Sequence, residues 1–314
     1  MTVKIIAELC QNHNGNQDLL WKLMEASKNN GATHAKIQNL YSFELTKRME
    51  FEVQRDDRFS MYRPFDKEFD RLVKLDLNFE VESEFVSRCL ALGLIPMTTV
   101  FTLYGVQRAL EAGFRTIKIP SYGSTDIDLI LAAEQFADEI VISTGATTML
   151  EIECVIHHLK TKIENPNLYL LHCRTEYPNV LERVQLSRML WLRKSFGFPV
   201  GFSDHSARVN IDGKLIKNRL LPIKVALWLG AEVIEKHFTV LSHGDSKDGR
   251  ISANESDLRE ISRFSILSSE EMHEELKDEM DLVEEIVDIN NKNFEPTVEE
   301  WFNRRYYKGR VKTL

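Results

Sequence analysis

The chain has 314 residues, of which 43% are hydrophobic and 28% charged, and its formal net charge is -8 at pH 7. This composition is typical of a globular protein with a large core, and the negative charge argues against nucleic acid as a partner. No apolar run reaches the roughly 20 residues that a membrane-spanning helix needs, and the first residues predict a strand instead of a secretion signal. We therefore expect a cytoplasmic protein that has no membrane partner.

The four cysteines of the chain lie far apart in the sequence. None belongs to a CxxC motif, and their positions are Cys10, Cys89, Cys154 and Cys173. This spacing predicts free thiols and argues against both disulfide bonds and a zinc site.

Eight short apolar runs alternate with segments of helical periodicity along the chain. The runs are residues 3–8, 33–38, 94–99, 115–119, 139–143, 168–173, 198–203 and 231–236. Several of the intervening segments end at a glycine just before the next run, which is where a helix C′ residue in the left-handed conformation belongs. Eight regular βα units predict an α/β fold, a closed (β/α)8 TIM barrel, with an open doubly wound sheet as the alternative.

Residues 39–80 interrupt this regular alternation after the second predicted strand. They form a long insertion that is rich in Phe, Arg and Asp. Long connections in a barrel of this type belong to the functional face. We therefore expect the insertion to lie over the carboxyl ends of the strands as a cap.

A second departure from the barrel pattern begins near residue 269. Glu and Asp dominate residues 270–288, and four apolar residues form a stripe through them: Met272, Leu276, Val283 and Ile286. Such a stripe predicts a helix that packs outside the barrel with its acidic face in solvent. The basic residues 304–310 are expected to be surface charge. We divide the chain into a barrel domain, residues 1–268, and a helical extension with a basic tail, residues 269–314.

Polar side chains follow the carboxyl ends of the predicted strands, which meet at one face of a barrel. They are Glu8, Lys36, Gln38, Thr98, Thr99, Lys118, Ser121, Ser143, Thr144, His172, Ser203, Asp204, His205, Glu235 and His237. Lysines interspersed with hydroxyl groups suit a bound phosphate or carboxylate. Two histidines at strand ends suit a metal site or an acid/base pair. Each of these residues is common at surfaces or helix caps, but together they predict an active site.

Several of these motifs resemble those of the sialic acid synthases and of their relatives that make pseudaminic and legionaminic acids. The segment AELCQNHNG (residues 7–15) is similar to the AEIGxNHNG opening of that family, and AKIQ (35–38) is similar to its VKFQ strand. Further matches keep the family's order and spacing over roughly residues 3–265: IKI (117–119), ISTG (142–145), LHC (171–173), EYP (176–178), VGFSDH (200–205) and EKHFT (235–239).

The resemblance implies a condensation of phosphoenolpyruvate with an N-acylated aldohexose, either an N-acetylmannosamine-like sugar or its 6-deoxy diamino relative. The product would be a nine-carbon 2-keto sugar acid, with release of phosphate. The resemblance also implies a divalent metal, Mn2+ or Mg2+, held by His205 and His237. Such a metal would polarise the aldehyde that the enol carbon attacks, and two neutral imidazoles leave coordination positions open for substrate.

The resemblance also carries roles onto individual residues of this sequence. The catalytic group would comprise Glu8, Lys118, His205 and His237. Phosphoenolpyruvate would be held by Lys36, Thr99, Lys118, Ser121, Ser143 and Ser203. The sugar would contact Gln38, Tyr177 and Asp248.

The sequence departs from the family's pattern on the sugar side of the site. The segment PSYG (120–123) stands where many sialic acid synthases have a Glu, and Arg174-Thr175 replaces a Thr-Asn or Thr-Ser pair. We expect the added cation to select a more acidic or differently substituted sugar. The family also continues into a small antifreeze-like domain that lends an arginine to the neighbouring subunit. Because the sequence ends at Leu314, we expect no such domain, with either a homodimer or a separate chain in its place.

Two other functions remain open at this point. The barrel could bind its ligand and yet be inactive without a partner chain. It could also be another metal-dependent lyase or aldolase, because a barrel alone does not determine the reaction. A Schiff-base aldolase would also place a lysine at a strand end, but it would not need paired histidines.

Overall fold

The computed structural model describes residues 2–54, 61–161, 167–210 and 212–311. Eight parallel strands follow one another around a closed barrel, and the last strand pairs with the first. The strands are β1 Lys4–Glu8, β2 His34–Asn39, β3 Ile95–Val100, β4 Thr116–Ile119, β5 Glu139–Ser143, β6 Leu168–Cys173, β7 Val200–Asp204 and β8 Val233–His237. Each lies close to its predicted run. The predicted TIM barrel is therefore confirmed, and the alternative of an open doubly wound sheet is wrong.

Helices cover the outside of the barrel and continue beyond it. They are α1 Gln17–Asn29, α2 Phe65–Val73, α3 Phe79–Ala91, α4 Leu103–Ala112, α5 Ile127–Glu134, α6 Met149–Lys160, α7 Ser187–Phe196, α8 Leu221–Trp228, α9 Glu255–Ser265, α10 Ser269–Leu276, α11 Met280–Val287 and α12 Val298–Tyr307. Many begin at a polar residue whose side chain accepts a hydrogen bond from the first turn, as Asn16 does for α1 and Thr102 for α4. Gly113 ends α4 with a φ of 100°, as its position before β4 predicted. Within the described residues, no helix has the length and apolar character to cross a membrane.

The alternation of side chains along the strands divides the barrel interior into layers. Near the amino ends, Lys4 and Glu139 form an ion pair of 2.6 Å. The middle layer is apolar and consists of Ile6, Met97, Val141, Leu171 and Val233. Two residues further along each strand, the inward positions become polar. The apolar layer thus forms the floor of a polar cavity that opens at the carboxyl-end face of the barrel.

The long insertion after β2 and the helical extension after α9 are both present. Residues 55–60 of the insertion lie outside the described residues. Within the described part, Arg71 of α2 donates a hydrogen bond to Gln11 in the loop after β1. The apolar stripe of the extension is buried as predicted, through Met272, Leu276, Val283 and Ile286. Helices α10 and α11 therefore pack outside the barrel.

The basic tail departs from its prediction as surface charge. Helix α12 returns to the carboxyl-end face of the barrel, where Arg304 donates to Glu151 and to the carbonyl oxygen of Ala146. The Arg310 side chain is only 9% exposed and forms an ion pair of 3.0 Å with Glu68 of the insertion. The prediction was wrong for Arg304 and Arg310, because residue composition does not report which surface a helix packs against, whereas the Arg305 side chain is 58% exposed.

The four cysteines are free thiols, as predicted. Cys10, Cys89 and Cys173 are buried, and Cys154 is exposed.

Close packing between β7 and β8 requires a glycine at position 201. A Cβ atom on Gly201 would lie 2.2 Å from the carbonyl oxygen of Val233. We expect Gly201→Ala to lower the free energy of unfolding by about 1–3 kcal/mol, because backbone of both strands must shift to make room. Urea unfolding measures this change. Gly244→Ala is the control, since its added Cβ meets no atom within 4 Å. Equal midpoints for the two variants would contradict the proposed close approach.

Candidate active site

A cavity of about 350 Å³ opens at the carboxyl ends of the strands. Of the residues to which the resemblance assigned a role, all but Ser203 line this cavity: Glu8, Lys36, Gln38, Thr99, Lys118, Ser121, Ser143, Tyr177, His205, His237 and Asp248. Four other polar residues of the predicted strand ends do not line it: Thr98, Thr144, His172 and Asp204. Ser203 contacts the cavity wall indirectly, through Glu235. The structure therefore brings the predicted site residues together, while the roles assigned to them stay predictions.

Glu235 of β8 holds the two lysines of the cavity in place. One of its oxygens accepts hydrogen bonds from the Lys118 ammonium and from the Ser203 hydroxyl, the latter at 2.8 Å. The other oxygen lies 3.5 Å from Lys36 Nζ. These side chains are almost fully buried, so each ammonium group depends on the carboxylate for its charge balance. The sequence reasoning placed Glu235 among the polar strand ends but gave it no role.

Glu8 of β1 is the second carboxylate of the cavity. It accepts a hydrogen bond from Lys36, which also donates to Thr99 Oγ1 at 2.9 Å. The other oxygen of Glu8 accepts from the backbone N–H of Cys10 at 2.8 Å. In the strand register Glu8 is paired with Lys36 on one side and with His237 on the other. Glu8 therefore joins the lysine half of the cavity to the histidine half.

Burial and charge act in opposite directions on the pKa values of this group. Burial lowers the pKa of Lys36, but Glu235 and Glu8 outweigh it, and the net shift is upward. Burial also lowers the pKa of Lys118; Glu235 offsets only part of this while Lys36 adds to it, and the net shift is downward. Burial alone would raise the pKa of Glu235, but Lys118 and Lys36 hold it well below its usual range. Of the two lysines, Lys118 is therefore the one that gives up its proton more readily.

Two hydroxyl groups lie beside the lysines. The Ser143 hydroxyl is buried and has no hydrogen-bond partner among the described residues. The Ser121 hydroxyl lies 3.1 Å from the Cys173 sulfur, which is a weak partner. Leaving a buried hydroxyl unpaired costs free energy. Ser143 in particular is therefore a donor that a bound anion would satisfy.

His205 and His237 face each other across the other half of the cavity, with ring centroids 5.7 Å apart. His205 Nδ1 lies 2.6 Å from the carbonyl oxygen of Arg174, so this nitrogen is the protonated one and Nε2 keeps its lone pair. Burial, together with His237, lowers the pKa of His205 to about 4, which makes it neutral at pH 7. His237 Nδ1 is buried without a hydrogen-bond partner among the described residues, and it lies 3.6 Å from Asp248.

The histidine pair fits a divalent cation that keeps open coordination positions. The carbonyl oxygen on Nδ1 of His205 fixes the ring orientation and the tautomer, as such partners do at metal sites. No group of three His, Cys, Asp or Glu side chains with metal-binding geometry occurs within the described ranges. The protein would therefore supply two nitrogen ligands, and water or substrate would supply the rest. This arrangement suits a catalytic site better than a closed structural one.

Arg174 does not line the cavity, which corrects its predicted role in selecting a more acidic sugar. Its buried guanidinium group donates to Glu300 at 2.9 Å and to the carbonyl oxygen of Arg183 at 2.9 Å. His172 also faces away from the cavity, where its Nε2 lies 2.7 Å from the carbonyl oxygen of Val184. His172 occupies an outward position of β6 and Cys173 an inward one, and Arg174 follows the end of the strand.

The outer part of the cavity is formed by residues that the sequence reasoning missed. They come from the insertion, from the loops after β4 and β8, and from the C-terminal residues: Arg63, Tyr122, Lys247, Glu299, Asn303, Tyr307 and Arg310. Two predicted sugar contacts also line the cavity. Tyr177 packs on the ring of His205 with centroids 4.3 Å apart, and Asp248 accepts a hydrogen bond from the Gln11 backbone at 3.3 Å. Three features of the sequence indicated parts of this wall: the insertion predicted as a cap, the PSYG segment on the sugar side, and the basic composition of residues 304–310.

Comparisons with known proteins identify the family of the chain. The model of the NeuB family matches residues 23–277. The chain belongs to the NeuB family. It is 30% identical to N,N'-diacetyllegionaminic acid synthase of Campylobacter jejuni over 257 residues, which cover 81% of this chain and 73% of that protein. It is also 30% identical to pseudaminic acid synthase of Helicobacter pylori over 240 residues, covering 75% of this chain and 65% of that protein. The resemblance drawn from the motifs is thereby confirmed.

Solved structures show the same fold as this NeuB-family protein. N-acetylneuraminic acid synthetase from Leptospira borgpetersenii is 23% identical and superimposes with a TM-score of 0.69, covering 98% of this chain and 91% of that one. A truncated 3-deoxy-D-arabino-heptulosonate 7-phosphate synthase from Thermotoga maritima is 14% identical and has a TM-score of 0.58, covering 88% and 87%. At these identities the likeness shows the barrel fold alone.

Buried neutral histidines outside the cavity predict a loss of stability in weak acid. Burial, with Lys4 nearby, lowers the pKa of His34 to about 3, and burial followed by Arg188 and Arg174 holds that of His172 well below its usual range. As the pH falls below about 6.5, these histidines bind protons in the unfolded chain but not in the native protein. His34 should therefore lower the free energy of unfolding by about 2 kcal/mol between pH 7 and pH 5, and His172 should lower it further. Urea unfolding across this range tests the prediction, and a constant free energy of unfolding would contradict it.

Proposed function

We propose that this NeuB-family protein condenses phosphoenolpyruvate with an N-acylated aldohexose to a nine-carbon 2-keto sugar acid and releases phosphate. The observation that carries the proposal is the convergence, in one cavity, of two lysines held on Glu235 with two histidines that have free ring nitrogens. Relatives named as legionaminic and pseudaminic acid synthases support the same reaction class.

The lysine half of the cavity suits phosphoenolpyruvate. Lys36 and Lys118 would supply positive charge to its phosphate and carboxylate groups, and the hydroxyls of Thr99, Ser121 and Ser143 would donate hydrogen bonds. Without a ligand, Glu8 and Glu235 balance the charges of both ammonium groups. An anion that enters the cavity would therefore bind to lysine side chains that are already held in position. Ser203 would not contact phosphoenolpyruvate itself, because its hydroxyl donates a hydrogen bond to Glu235 and orients that carboxylate.

The histidine half of the cavity suits the acceptor aldehyde. His205 and His237 would hold Mn2+ or Mg2+, which supplies Lewis-acid polarisation of a carbonyl oxygen when bound. Tyr177 covers the His205 ring and Asp248 lies beside His237. These two side chains, with Gln38, would contact the sugar and orient its aldehyde towards the lysine half.

The reaction forms a carbon–carbon bond and a carbon–oxygen bond and breaks one carbon–oxygen bond. C3 of phosphoenolpyruvate attacks the aldehyde carbon, the water oxygen bonds to C2, and cleavage of the C2–O bond to phosphate leaves the keto group. The water oxygen becomes the keto oxygen and loses both of its protons, one to the aldehyde oxygen and one to the departing phosphate. We assign this proton exchange to the carboxylate of Glu8, because it lies between Lys36 and His237 in the strand register.

Phosphate release from phosphoenolpyruvate tests the reaction directly. We expect the wild type to release phosphate with Mn2+ only when a suitable N-acyl hexosamine from a panel is added. Lys36→Met and Lys118→Met should each lower kcat/KM at least about 100-fold, because each removes a charge from a water-poor site. Lys22→Met, at an exposed position of α1, is the control. The absence of phosphate across the whole panel would contradict the proposal, and a borohydride-trapped lysine adduct would indicate a Schiff-base aldolase.

Metal binding can be tested separately from activity. His205→Gln and His237→Gln should each weaken Mn2+ binding by more than about tenfold in calorimetric titration, because each removes one of two protein ligands. The urea midpoint of each variant shows whether the barrel is intact. His157→Gln, on the exposed face of α6, is the matched control and should bind Mn2+ as the wild type does. Unchanged Mn2+ affinity in both cavity variants would contradict the assignment of the histidines as ligands.

A further inference from the structure

Residues 297–311, which we call the C-terminal arm, cross the carboxyl-end face of the barrel. Their main anchor is Glu300, which is 1% exposed. One carboxylate oxygen accepts hydrogen bonds from the backbone N–H groups of Thr175 and Ala146, at 2.9 and 3.3 Å, and the other accepts from Arg174 at 2.9 Å. Burial alone would raise the pKa of Glu300, but Arg174 and the backbone donors lower it. A buried carboxylate with these partners fixes the arm to the loops after β5 and β6.

The other end of the arm is fixed by the insertion. Arg48 donates to the carbonyl oxygens of Arg305 and Lys308, at 3.1 and 3.3 Å, where α12 ends. A cation at the carboxyl end of a helix satisfies free carbonyl groups and matches the helix dipole. The backbone N–H of Thr46 donates to the carbonyl oxygen of Arg310 at 2.9 Å. The arm is therefore held at both ends across the opening of the cavity.

Between these anchors the arm presents polar groups to the cavity. The Tyr307 ring stacks on Tyr122 with centroids 5.0 Å apart. The guanidinium groups of Arg63 and Arg310 lie 5.1 and 4.7 Å from the centre of the Tyr307 ring. Burial alone would raise the pKa of the Tyr307 hydroxyl, but Lys247, Arg63 and Arg310 bring it below its usual value. Cationic side chains thus surround the Tyr307 ring in this wall of the cavity, and the charge of Arg310 is paired with Glu68.

The positions at which this sequence departs from its family contact the arm. Arg174 and Thr175 bind Glu300, and Tyr122 stacks on Tyr307. These substitutions lie on the side of the site where the sugar is expected. The residues that differ from the family pattern therefore pack together with the arm, although they are far from it in the sequence.

We propose that the C-terminal arm is the acceptor-binding wall of this active site, and that Tyr307 and Arg310 select the acceptor. The inference rests on the proposed function, in which the lysines and histidines occupy the inner part of the cavity. A phenol hydroxyl and a guanidinium group bind hydroxyl, carboxylate or phosphate oxygens. The arm therefore recognises an acceptor whose end remote from the aldehyde is rich in oxygen atoms.

Steady-state kinetics of the full chain test this proposal, with the panel sugar that gives the fastest phosphate release as the acceptor. We expect Tyr307→Phe and Arg310→Met to raise the KM for the acceptor about tenfold, because each removes one polar contact. The KM for phosphoenolpyruvate should stay within about twofold, since its proposed binding groups belong to the barrel strands and the loop after β4 and not to the arm. Arg310→Lys keeps the charge and should recover part of the loss. Acceptor KM values equal to that of the wild type would overturn the proposal.

Two control variants separate recognition from structure. Arg305→Ala changes a side chain of α12 that is 58% exposed and pairs with Glu50, and it should match the wild type. Glu68→Gln removes the charge that pairs with Arg310 at 3.0 Å but keeps the guanidinium group in the chain. If Glu68→Gln raised the acceptor KM as much as Arg310→Met does, Arg310 would have a structural role and the proposal would fail.

Calorimetric titration with phosphoenolpyruvate distinguishes failure of the arm from failure of the reaction. A wild type that binds no phosphoenolpyruvate would contradict the proposed function. An unchanged acceptor KM in both Tyr307→Phe and Arg310→Met would contradict the proposed role of the arm and leave the proposed function standing. A wild type that binds phosphoenolpyruvate, yet neither binds a panel sugar nor releases phosphate with one, would overturn the proposed function and, with it, the arm as an acceptor wall.

Discussion

The site depends on one carboxylate, Glu235, which places two ammonium groups at the top of a barrel whose floor is apolar. Lys36 and Lys118 are nearly fully buried and approach it from different strands. Removing such a partner leaves an uncompensated charge in a poorly solvated interior, which costs several kcal/mol. The positions of Ser203, Glu8 and Thr99 follow from this arrangement, because each contacts a member of the group. A charged network of this kind holds its geometry before any ligand arrives.

The two halves of the cavity differ in how their polar groups are satisfied. On the lysine side the charges already have protein partners, and Ser143 is the hydroxyl without one among the described residues. On the histidine side, His205 has one nitrogen committed to a carbonyl oxygen, and the buried Nδ1 of His237 has no partner in the described ranges. The first half is prearranged for an anion, and the second is prearranged for a group that accepts nitrogen lone pairs. An enzyme that joins an anionic donor to a neutral aldehyde needs both.

The barrel and the inner part of the site could be predicted from the sequence because both follow from strand periodicity. Apolar runs mark the strands, and parallel strands bring Lys36, Lys118, His205 and His237 to one face. Strict alternation of side chains along β6 would also have excluded His172 from the predicted site, because it follows the inward-facing Leu171 and therefore points out of the barrel. The outer wall could not be predicted, because Tyr307 reaches the cavity only through the packing of α12 on distant loops. The buried Glu300 that determines this packing belongs to a Thr297–Glu300 capping box, which indicates the start of a helix but not the loops that the carboxylate contacts.

The anchoring of α12 has a consequence for the order of events during synthesis. Glu300 binds backbone groups of residues 146 and 175, so its contacts join segments that leave the ribosome far apart in time. The eight strands and the lysine cluster lie between residues 4 and 237, so they leave the ribosome before the arm does. The wall that Asn303, Tyr307 and Arg310 contribute to the cavity is missing until residues 297–311 have emerged and docked.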